Sequence, residues 1–175
     1  MGRLPVRVRR ATAADAAALA ALYRGIRQWL LERGNRQWRD ERFTADSLRG
    51  DIGTTPVLVA TLQGRIVGAV YVQWHDPQFW PDRVGGDALY VRRLVVCRQV
   101  AGHAVADRLL IAVALLARRH HRWRLRLDCA PLETLARIYH RLSFAMVDES
   151  ELGGYRVFQF ERATVPFSPR RRGGA

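Results

Sequence analysis

Two stretches of the chain, the run from residue 89 to Gly102 and the segment around Tyr139, contain residue types that could carry out group transfer. Both lie in or beside predicted strands and helices. The apolar run 89–96 predicts a strand, and a short turn of small residues follows it and opens an apolar helix at Gly102. The free N–H groups and positive dipole end of a helix attract anions, and small side chains let an anion come close. Tyr139, on a later predicted helix, adds a proton donor. The pairing indicates an enzyme that holds a phosphate-bearing cofactor next to an acid.

The composition predicts one folded domain over residues 1–165 and a basic tail over residues 166–175. The chain has 175 residues, of which 49% are hydrophobic, and this is enough for a substantial core. Its net charge is +13, and all 29 basic residues are Arg. Outside the tail these residues are scattered, as codon preference in a GC-rich genome would leave them. Nucleic-acid binding is therefore the less favoured alternative.

The two cysteines predict an ordinary reducing compartment. Cys97 and Cys129 fall in or beside predicted strands, where we expect buried free thiols and a cytoplasmic protein. No Cys or His spacing typical of zinc occurs, so we expect no metal. No stretch approaches 18 apolar residues without charge, so we expect no membrane span.

Hydrophobic periodicity and turn residues predict alternating strands and helices. The predicted helices cover residues 12–33, 44–53, 102–120 and 132–142, and the predicted strands cover residues 6–10, 57–62, 66–74, 89–96, 124–129, 144–147 and 155–161. This order is typical of a mixed α/β fold with helices on both faces of one sheet.

With these elements in place, residues 5–162 resemble the GNAT superfamily of N-acetyltransferases. One shared motif is the family segment Tyr-x-x-Leu-Gly-Phe, which corresponds here to residues 139–144. The stretch from Trp29 to Gly34, followed by Gln37-Trp38, also looks like a first-helix feature of a branch of the family. The resemblance implies a mixed, mostly antiparallel sheet that splays apart between its fourth and fifth strands.

The second motif of the resemblance is the acetyl-CoA loop, with the family pattern R/Q-x-x-G-x-G/A. Two registers fit, residues 99–104 and residues 101–106. The second register is favoured because it places Leu109 and Leu110 on the pair of positions that the family buries. Ala101 then stands where the family has a basic residue, and Ala104 and Ala106 stand where it has glycines.

The resemblance implies an acetyl-CoA-dependent enzyme in which an amine attacks the thioester directly. By this likeness, the backbone of Leu94, Val95 and Val96 contacts the pantetheine arm, and an amide near Leu94 polarises the thioester carbonyl. Tyr139 protonates the thiolate that leaves. The pyrophosphate is held by main-chain N–H groups of Ala101, Gly102, His103, Ala104, Val105 and Ala106.

The departures from the family pattern leave a second interpretation open. The methyl groups of Ala104 and Ala106 would crowd the pyrophosphate, and Leu132 stands where many members have an Asn that contacts the cofactor. The alternative to an enzyme is a degenerate module that binds CoA weakly or not at all and acts as a binding or regulatory protein.

The base and the acceptor are less constrained by the sequence. Asp87, His75 and Asp128 are candidate bases, and a relay through water is the alternative to all three. We expect the acceptor to be a small-molecule primary amine in a pocket lined by the first two helices and the loop over residues 75–86. Its candidate walls are Trp29, Trp38 and Trp80. The sequence does not decide between a monomer and a homodimer.

Overall fold

The computed structural model describes residues 5–34, 38, 43–83, 85–100, 104–152 and 154–164. Within these residues, one sheet is built from seven strands and is covered by four helices. The strands are β1 (Arg7–Arg10), β2 (Val57–Leu62), β3 (Arg65–Gln73), β4 (Ala88–Val96), β5 (Arg124–Cys129), β6 (Ala145–Leu152) and β7 (Tyr155–Ala163). The helices are α1 (Ala16–Leu31), α2 (Ala45–Thr54), α3 (Val105–Arg119) and α4 (Glu133–Arg141).

The sheet is mixed and mostly antiparallel, as predicted. The strand order is β1-β2-β3-β4-β5-β7-β6, and only β4 and β5 run parallel among the paired strands of the described residues. The parallel pair requires a crossover, which α3 supplies. Because β4 is the fourth of the seven strands, the residues that follow it lie at the middle of one edge of the sheet.

Helices cover both faces of the sheet. On one face, α1 and α2 pack on β2 and β3 through an apolar cluster that includes Leu19, Tyr23, Leu48 and Val59. On the opposite face, α3 and α4 bury a second cluster against the alternate residues of the same strands. The two faces thus have separate cores, and the central strands carry side chains into both.

Local sequence signals account for the starts of the first two helices. Thr12 and Asp15 form a capping box, in which the Thr12 backbone N donates to the Asp15 carboxylate at 2.8 Å. A 3-10 turn over Ala13–Asp15 comes before α1. The Thr44 hydroxyl accepts from the Ser47 backbone N at 3.2 Å and caps α2.

The packing of α3 on the sheet depends on a glycine in β3. A Cβ added at Gly68 would lie 2.8 Å from Val105 Cγ1 and 3.0 Å from the carbonyl oxygen of Val95. This close approach fixes the first turn of α3 against the end of β4. The start of α3 is therefore held against β3 and β4 by tight packing.

One predicted strand is too short. The prediction for the sixth strand covered residues 144–147, whereas β6 runs from Ala145 to Leu152. β6 is an edge strand, and most of its residues are exposed on both faces. Its second half contains Asp148, Glu149 and Glu151, so it has no apolar alternation for the sequence to reveal.

Candidate active site

The sheet opens between β4 and β5. The two strands pair at Ala88↔Arg124, Leu89↔Leu125 and Tyr90↔Arg126, and the ladder ends there although β4 continues for six more residues. Beyond this point β4 stays paired with β3, and β5 stays paired with β7. The predicted splay between the fourth and fifth strands is confirmed. Along residues 91–96, β4 therefore has a backbone edge without a strand partner on the β5 side.

A β-bulge lies within this open half of β4. Tyr71 pairs with Arg92 and Ala69 pairs with Val95, so two residues of β4 lie opposite one residue of β3. One of them, Arg93, has a φ of 49°, in the left-handed region that a side chain with a Cβ disfavours. The bulge re-aims the backbone at Leu94, the residue whose amide the resemblance assigns to the thioester carbonyl.

Two helices hold the bulge in place. The buried Tyr23 of α1 donates its hydroxyl to the carbonyl oxygen of Arg93 at 2.9 Å. Asp51 of α2 pairs with the Arg93 guanidinium at 3.0 Å. The same guanidinium lies 5.0 Å from the centre of the Tyr71 ring. A strained backbone conformation persists where its surroundings over-determine it, and these contacts do so here.

Tyr139 lies on α4 beside the opening. Its ring packs against Phe144 and Phe160, with ring centres 6.2 Å and 5.4 Å away. Burial raises the pKa of Tyr139 well above its usual value of about 10, and the nearby Cys129 and Asp128 raise it further, while Arg92 lowers it. The phenol therefore stays protonated at neutral pH.

Two carboxylates share one guanidinium at the base of the opening. Arg92 of β4 pairs with Asp128 of β5 and lies 3.2 Å from Asp76 Oδ2, in the loop after β3. The Asp76 oxygen is within ion-pair distance but has no partner in hydrogen-bonding geometry. Burial raises the pKa of Asp128 to about 6, with Asp76 raising it and Arg92 lowering it. Asp128 can therefore gain or lose a proton near neutral pH.

The other two candidate bases lie elsewhere. Asp87 comes just before β4 and receives two hydrogen bonds from Arg126, at 2.9 Å and 3.2 Å. His75 is exposed in the loop after β3. Of the three predicted candidates, Asp128 is the one that lies on β5 past the last pair of the β4–β5 ladder, where it pairs with Arg92 of β4.

The closed end of the β4–β5 pair is occupied by a buried charge network. Arg126 is only 4% exposed, and its Nε donates to Glu161 at 2.8 Å while its other nitrogens reach Asp87. Arg124 pairs with both of these acids. Burial alone would lower the pKa of Arg126, but hydrogen bonds to Tyr90 and Glu161 and the charges of both acids raise it. The network holds the two strands together where the gap begins.

The turn after β4 is only partly described. Ala101, Gly102 and His103 lie outside the described residues. Ala104 has a φ of 56° and is the N-cap of α3, and no side chain caps the helix there. The N-cap side chain therefore accepts no hydrogen bond from the first N–H groups of α3, including those of Val105 and Ala106, and a ligand can accept from them. A left-handed conformation suits glycine, which is what the family has at the Ala104 position.

The three predicted acceptor tryptophans lie in three different environments. Trp38 is half-buried and packs near Tyr23 and Phe43, beside the Arg93 bulge. Trp29 is half-buried at the end of α1, where two Arg side chains stack on it. Trp80 is 1% exposed and packs against Tyr90, so it lies in the core instead of lining an open pocket.

Sequence reasoning missed Arg92 and the bulge at Arg93, and it considered Asp76 only as an acid that could attract a cationic acceptor. The bulge has no sequence signal, since Arg rarely adopts a left-handed conformation. The polar residues Arg92 and Arg93 in the middle of the apolar run 89–96 were the available hint. Charged residues in a central strand are seldom buried without partners.

Several other features do not bear on this site. An open surface pocket of about 480 Å³ is lined by Thr134, Arg137, Ile138 and Arg141 on the outer side of α4, away from the Tyr139 ring. Both cysteines are free thiols, as predicted, but only Cys129 is buried and Cys97 is half-buried; burial raises the pKa of Cys129 to about 12. In the described part of the chain, no helix is long and apolar enough to cross a membrane, and no cluster of ligating side chains could hold a metal ion.

Comparison with known proteins gives one curated relative of this chain at low sequence identity. No protein-family model matches the chain. The chain is 26% identical over 155 residues to the uncharacterized N-acetyltransferase YesJ of Bacillus subtilis, covering 84% of this chain and 85% of that protein.

Solved structures agree with this similarity. An acetyltransferase of the GNAT family from Listeria monocytogenes superimposes with a TM-score of 0.73 at 24% identity, covering 92% of this chain and 97% of that one. YncA of Salmonella typhimurium, solved with its cofactor acetyl-CoA, gives a TM-score of 0.67 at 16% identity, covering 96% and 99%. The splayed sheet and these superpositions show that the chain has the fold of GNAT acetyltransferases, and its similarity to YesJ supports a GNAT superfamily acetyltransferase.

Proposed function

We propose that the protein transfers an acetyl group from acetyl-CoA to the primary amine of a small molecule. The observation that carries this proposal is the open half of β4, which has an unpaired edge and a bulge, with Tyr139 beside it. Neighbouring structures were solved with CoA and with acetyl-CoA, namely PaiA of Thermoplasma acidophilum and YncA. They support a CoA thioester as the donor.

The residues around the gap fit such a donor. The unpaired backbone edge of residues 94–96 offers N–H and C=O groups to the two amides of a pantetheine arm. The uncapped first turn of α3, at Val105 and Ala106, offers N–H groups to a diphosphate. The methyl group of Ala104 narrows this cradle, so we expect weaker binding than a glycine would give.

When the amine attacks the thioester carbon, the protein must stabilise the carbonyl oxygen, accept the amine proton and protonate the leaving sulfur. The backbone amide at Leu94, aimed by the bulge, donates to the carbonyl oxygen as negative charge develops there. Asp128 accepts the proton that the amine nitrogen loses when the new C–N bond forms. Tyr139 donates its phenolic proton to the sulfur as the C–S bond breaks, and solvent then restores that proton.

The direct test of this assignment is Tyr139→Phe. The change removes one hydroxyl and keeps the ring that packs on Phe144 and Phe160. We expect turnover to fall at least tenfold, and up to about a hundredfold, because general acid catalysis is lost. Affinity for CoA, measured by calorimetry, is expected to stay unchanged. Unaltered turnover would remove Tyr139 from the mechanism.

Titration with acetyl-CoA separates the enzyme from a degenerate module. The strained Ala104 at the cofactor turn is the observation that favours the module. The enzyme predicts binding at micromolar concentrations together with release of CoA when amines are supplied. No heat and no thermal shift at millimolar acetyl-CoA would favour the module.

A further inference from the structure

The loop that joins β3 to β4 is fixed beside the opening of the sheet. Asp76 accepts a hydrogen bond from the Phe79 backbone N at 3.2 Å through its carboxylate, and its carbonyl oxygen accepts one from the Trp80 backbone N at 2.9 Å. Asp76 and Trp80 are 7% and 1% exposed, so both ends of this turn are buried. The backbone of Phe79 is therefore held in one place, although the proposed mechanism gives its side chain no role.

A side chain from β7 also holds Phe79. The amide of Gln159 donates to the carbonyl oxygen of Phe79, and its Oε1 accepts from the Ser150 hydroxyl at 3.3 Å. Gln159 is buried and is the β7 residue that pairs with Asp128 of β5. A buried amide with partners on both its nitrogen and its oxygen has little freedom to move. Gln159 therefore ties the loop to the strand beside Asp128.

The ring of Phe79 lies against the arginine that joins the two carboxylates of the site. The Arg92 guanidinium carbon is 4.8 Å from the ring centre. The same guanidinium pairs with Asp128 and lies 3.2 Å from Asp76 Oδ2. The Arg92 side chain is 25% exposed, so water competes for it. Because an aromatic face attracts a cation, the fixed ring favours the position of Arg92 between the carboxylates over positions in solvent.

The charge of Asp128 depends on where Arg92 lies. Charged or titratable groups that interact with Asp128 come from the loop, from α4 and from both strands of the opening; they are Asp76, Tyr139, Arg92 and Cys129. Tyr139 and Cys129 are neutral at neutral pH, and Asp76 repels a second negative charge. Within this set, Arg92 is the group whose charge favours the ionised form of Asp128.

We propose that Phe79 is a positioning residue whose ring holds the Arg92 guanidinium against Asp128. Phe79 acts through Arg92 and touches no reacting atom. Without the ring, Arg92 spends more time in solvent, and Asp128 binds a proton at higher pH. That Asp128 takes the proton of an amine rests on the proposed function, whereas the effect of Phe79 on the protonation of Asp128 does not.

The test replaces the ring and follows the titration of Asp128 itself. In the full-length protein without ligand, carbon NMR of the Asp128 carboxyl gives the pH midpoint of its protonation. Phe79→Leu removes the aromatic face and is expected to raise this midpoint by roughly half a pH unit, the size expected for an ordinary cation–π contact. Phe79→Tyr keeps the face and is expected to leave the midpoint in place. Phe79→Met, which also lacks a ring, replaces Phe79→Leu if that variant does not fold.

The matched control is Trp74→Leu. Trp74 is half-buried, as Phe79 is, and the guanidinium carbon of Arg122 lies 5.4 Å from its ring centre. Its ring packs against His120 at the end of α3. This variant removes an arginine-stacked ring elsewhere and should leave the Asp128 midpoint unchanged. The same midpoint in Phe79→Leu as in the unmodified protein, or an equal shift in Trp74→Leu, would overturn the proposal.

Kinetics links this position to turnover. The acidic limb of the kcat/KM profile should move to higher pH in Phe79→Leu together with the NMR midpoint, so the loss of activity is largest at low pH. A role in packing alone would lower kcat at every pH and leave the midpoint in place, which would overturn the proposal. A midpoint that moves in a protein that transfers no acetyl group would contradict the proposed function and leave the role of Phe79 standing.

Discussion

The two halves of β4 do different work within one strand. The first half, Ala88–Tyr90, is paired with β5, its last residue Tyr90 is also paired with β3, and ion pairs of the buried Arg126 lie beside it. The second half, residues 91–96, is bulged and paired on one side alone. The contrast between the closed half and the open half shows that the gap is a regular feature of this sheet. Ion pairs hold β4 and β5 together at the point where the gap begins. Such a break leaves backbone groups for a ligand where a complete sheet would have used them.

The largest expected effect comes from breaking the closed half. Glu161→Gln leaves the buried Arg126 without one of its two acids. We expect the free energy of unfolding to fall by about 3 kcal/mol, because a buried charge loses its partner. Urea denaturation measures this. The control Glu149→Gln breaks an exposed pair with Arg156 and should cost less than about 1 kcal/mol. Equal losses in the two variants would show that the network does not hold the two strands together.

The next effect tests the proton acceptor in the open half. Asp128→Asn is expected to lower kcat about a hundredfold, since an amide cannot take the amine proton. In the unmodified protein, kcat/KM should rise with pH through about 6, because the pKa of Asp128 is raised to that value and only the ionised form accepts a proton.

The neighbouring carboxylate gives a sharper form of the same prediction. Asp76 raises the pKa of Asp128 by repulsion, so Asp76→Asn should move the acidic limb of the pH–rate profile to lower pH. The Asn side chain can still accept the hydrogen bond from the Phe79 backbone N. If the acidic limb of the pH–rate profile lies at the same pH in Asp76→Asn as in the unmodified protein, Asp128 is not the base. The same conclusion follows if this limb is still present in Asp128→Asn.

A smaller effect concerns the bulge. Tyr23→Phe removes the hydroxyl that holds the Arg93 carbonyl and keeps the buried ring. We expect kcat to fall about tenfold with little change in KM, since the Leu94 amide is then less well aimed at the developing charge. Steady-state kinetics provides the comparison with Tyr155→Phe, an exposed tyrosine on β7 that should behave like the unmodified protein. A change in KM alone would assign Tyr23 a role other than positioning.

The smallest effect concerns the start of α3. Ala104→Gly places glycine at a left-handed residue and should stabilise the protein by about 1 kcal/mol. It should also tighten CoA binding, because the methyl group is removed. Ala106→Gly, inside the helix, should instead destabilise by about 1 kcal/mol. Thermal denaturation of the two variants compares them, and equal signs would contradict the strain at Ala104.

The sequence predicted the parts of this site that rest on local patterns. The apolar run of β4, the small-residue turn and the segment from Tyr139 to Phe144 are each predicted by a pattern that lies within a few consecutive residues. The cluster of Asp76, Arg92 and Asp128 could not be predicted, because it joins a loop and two strands whose spacing only the fold sets. Trp80 was expected to line a pocket because it lies in the loop over residues 75–86, but its side chain packs against Tyr90 and is buried.

Amide hydrogen exchange with and without CoA tests the central claim most directly. If the open half of β4 holds the pantetheine arm, CoA should slow exchange over residues 94–96 and in the first turn of α3. Residues Ala88–Tyr90, which are already paired with β5, should not change. CoA that binds and protects other segments while residues 94–96 exchange as before would contradict the account.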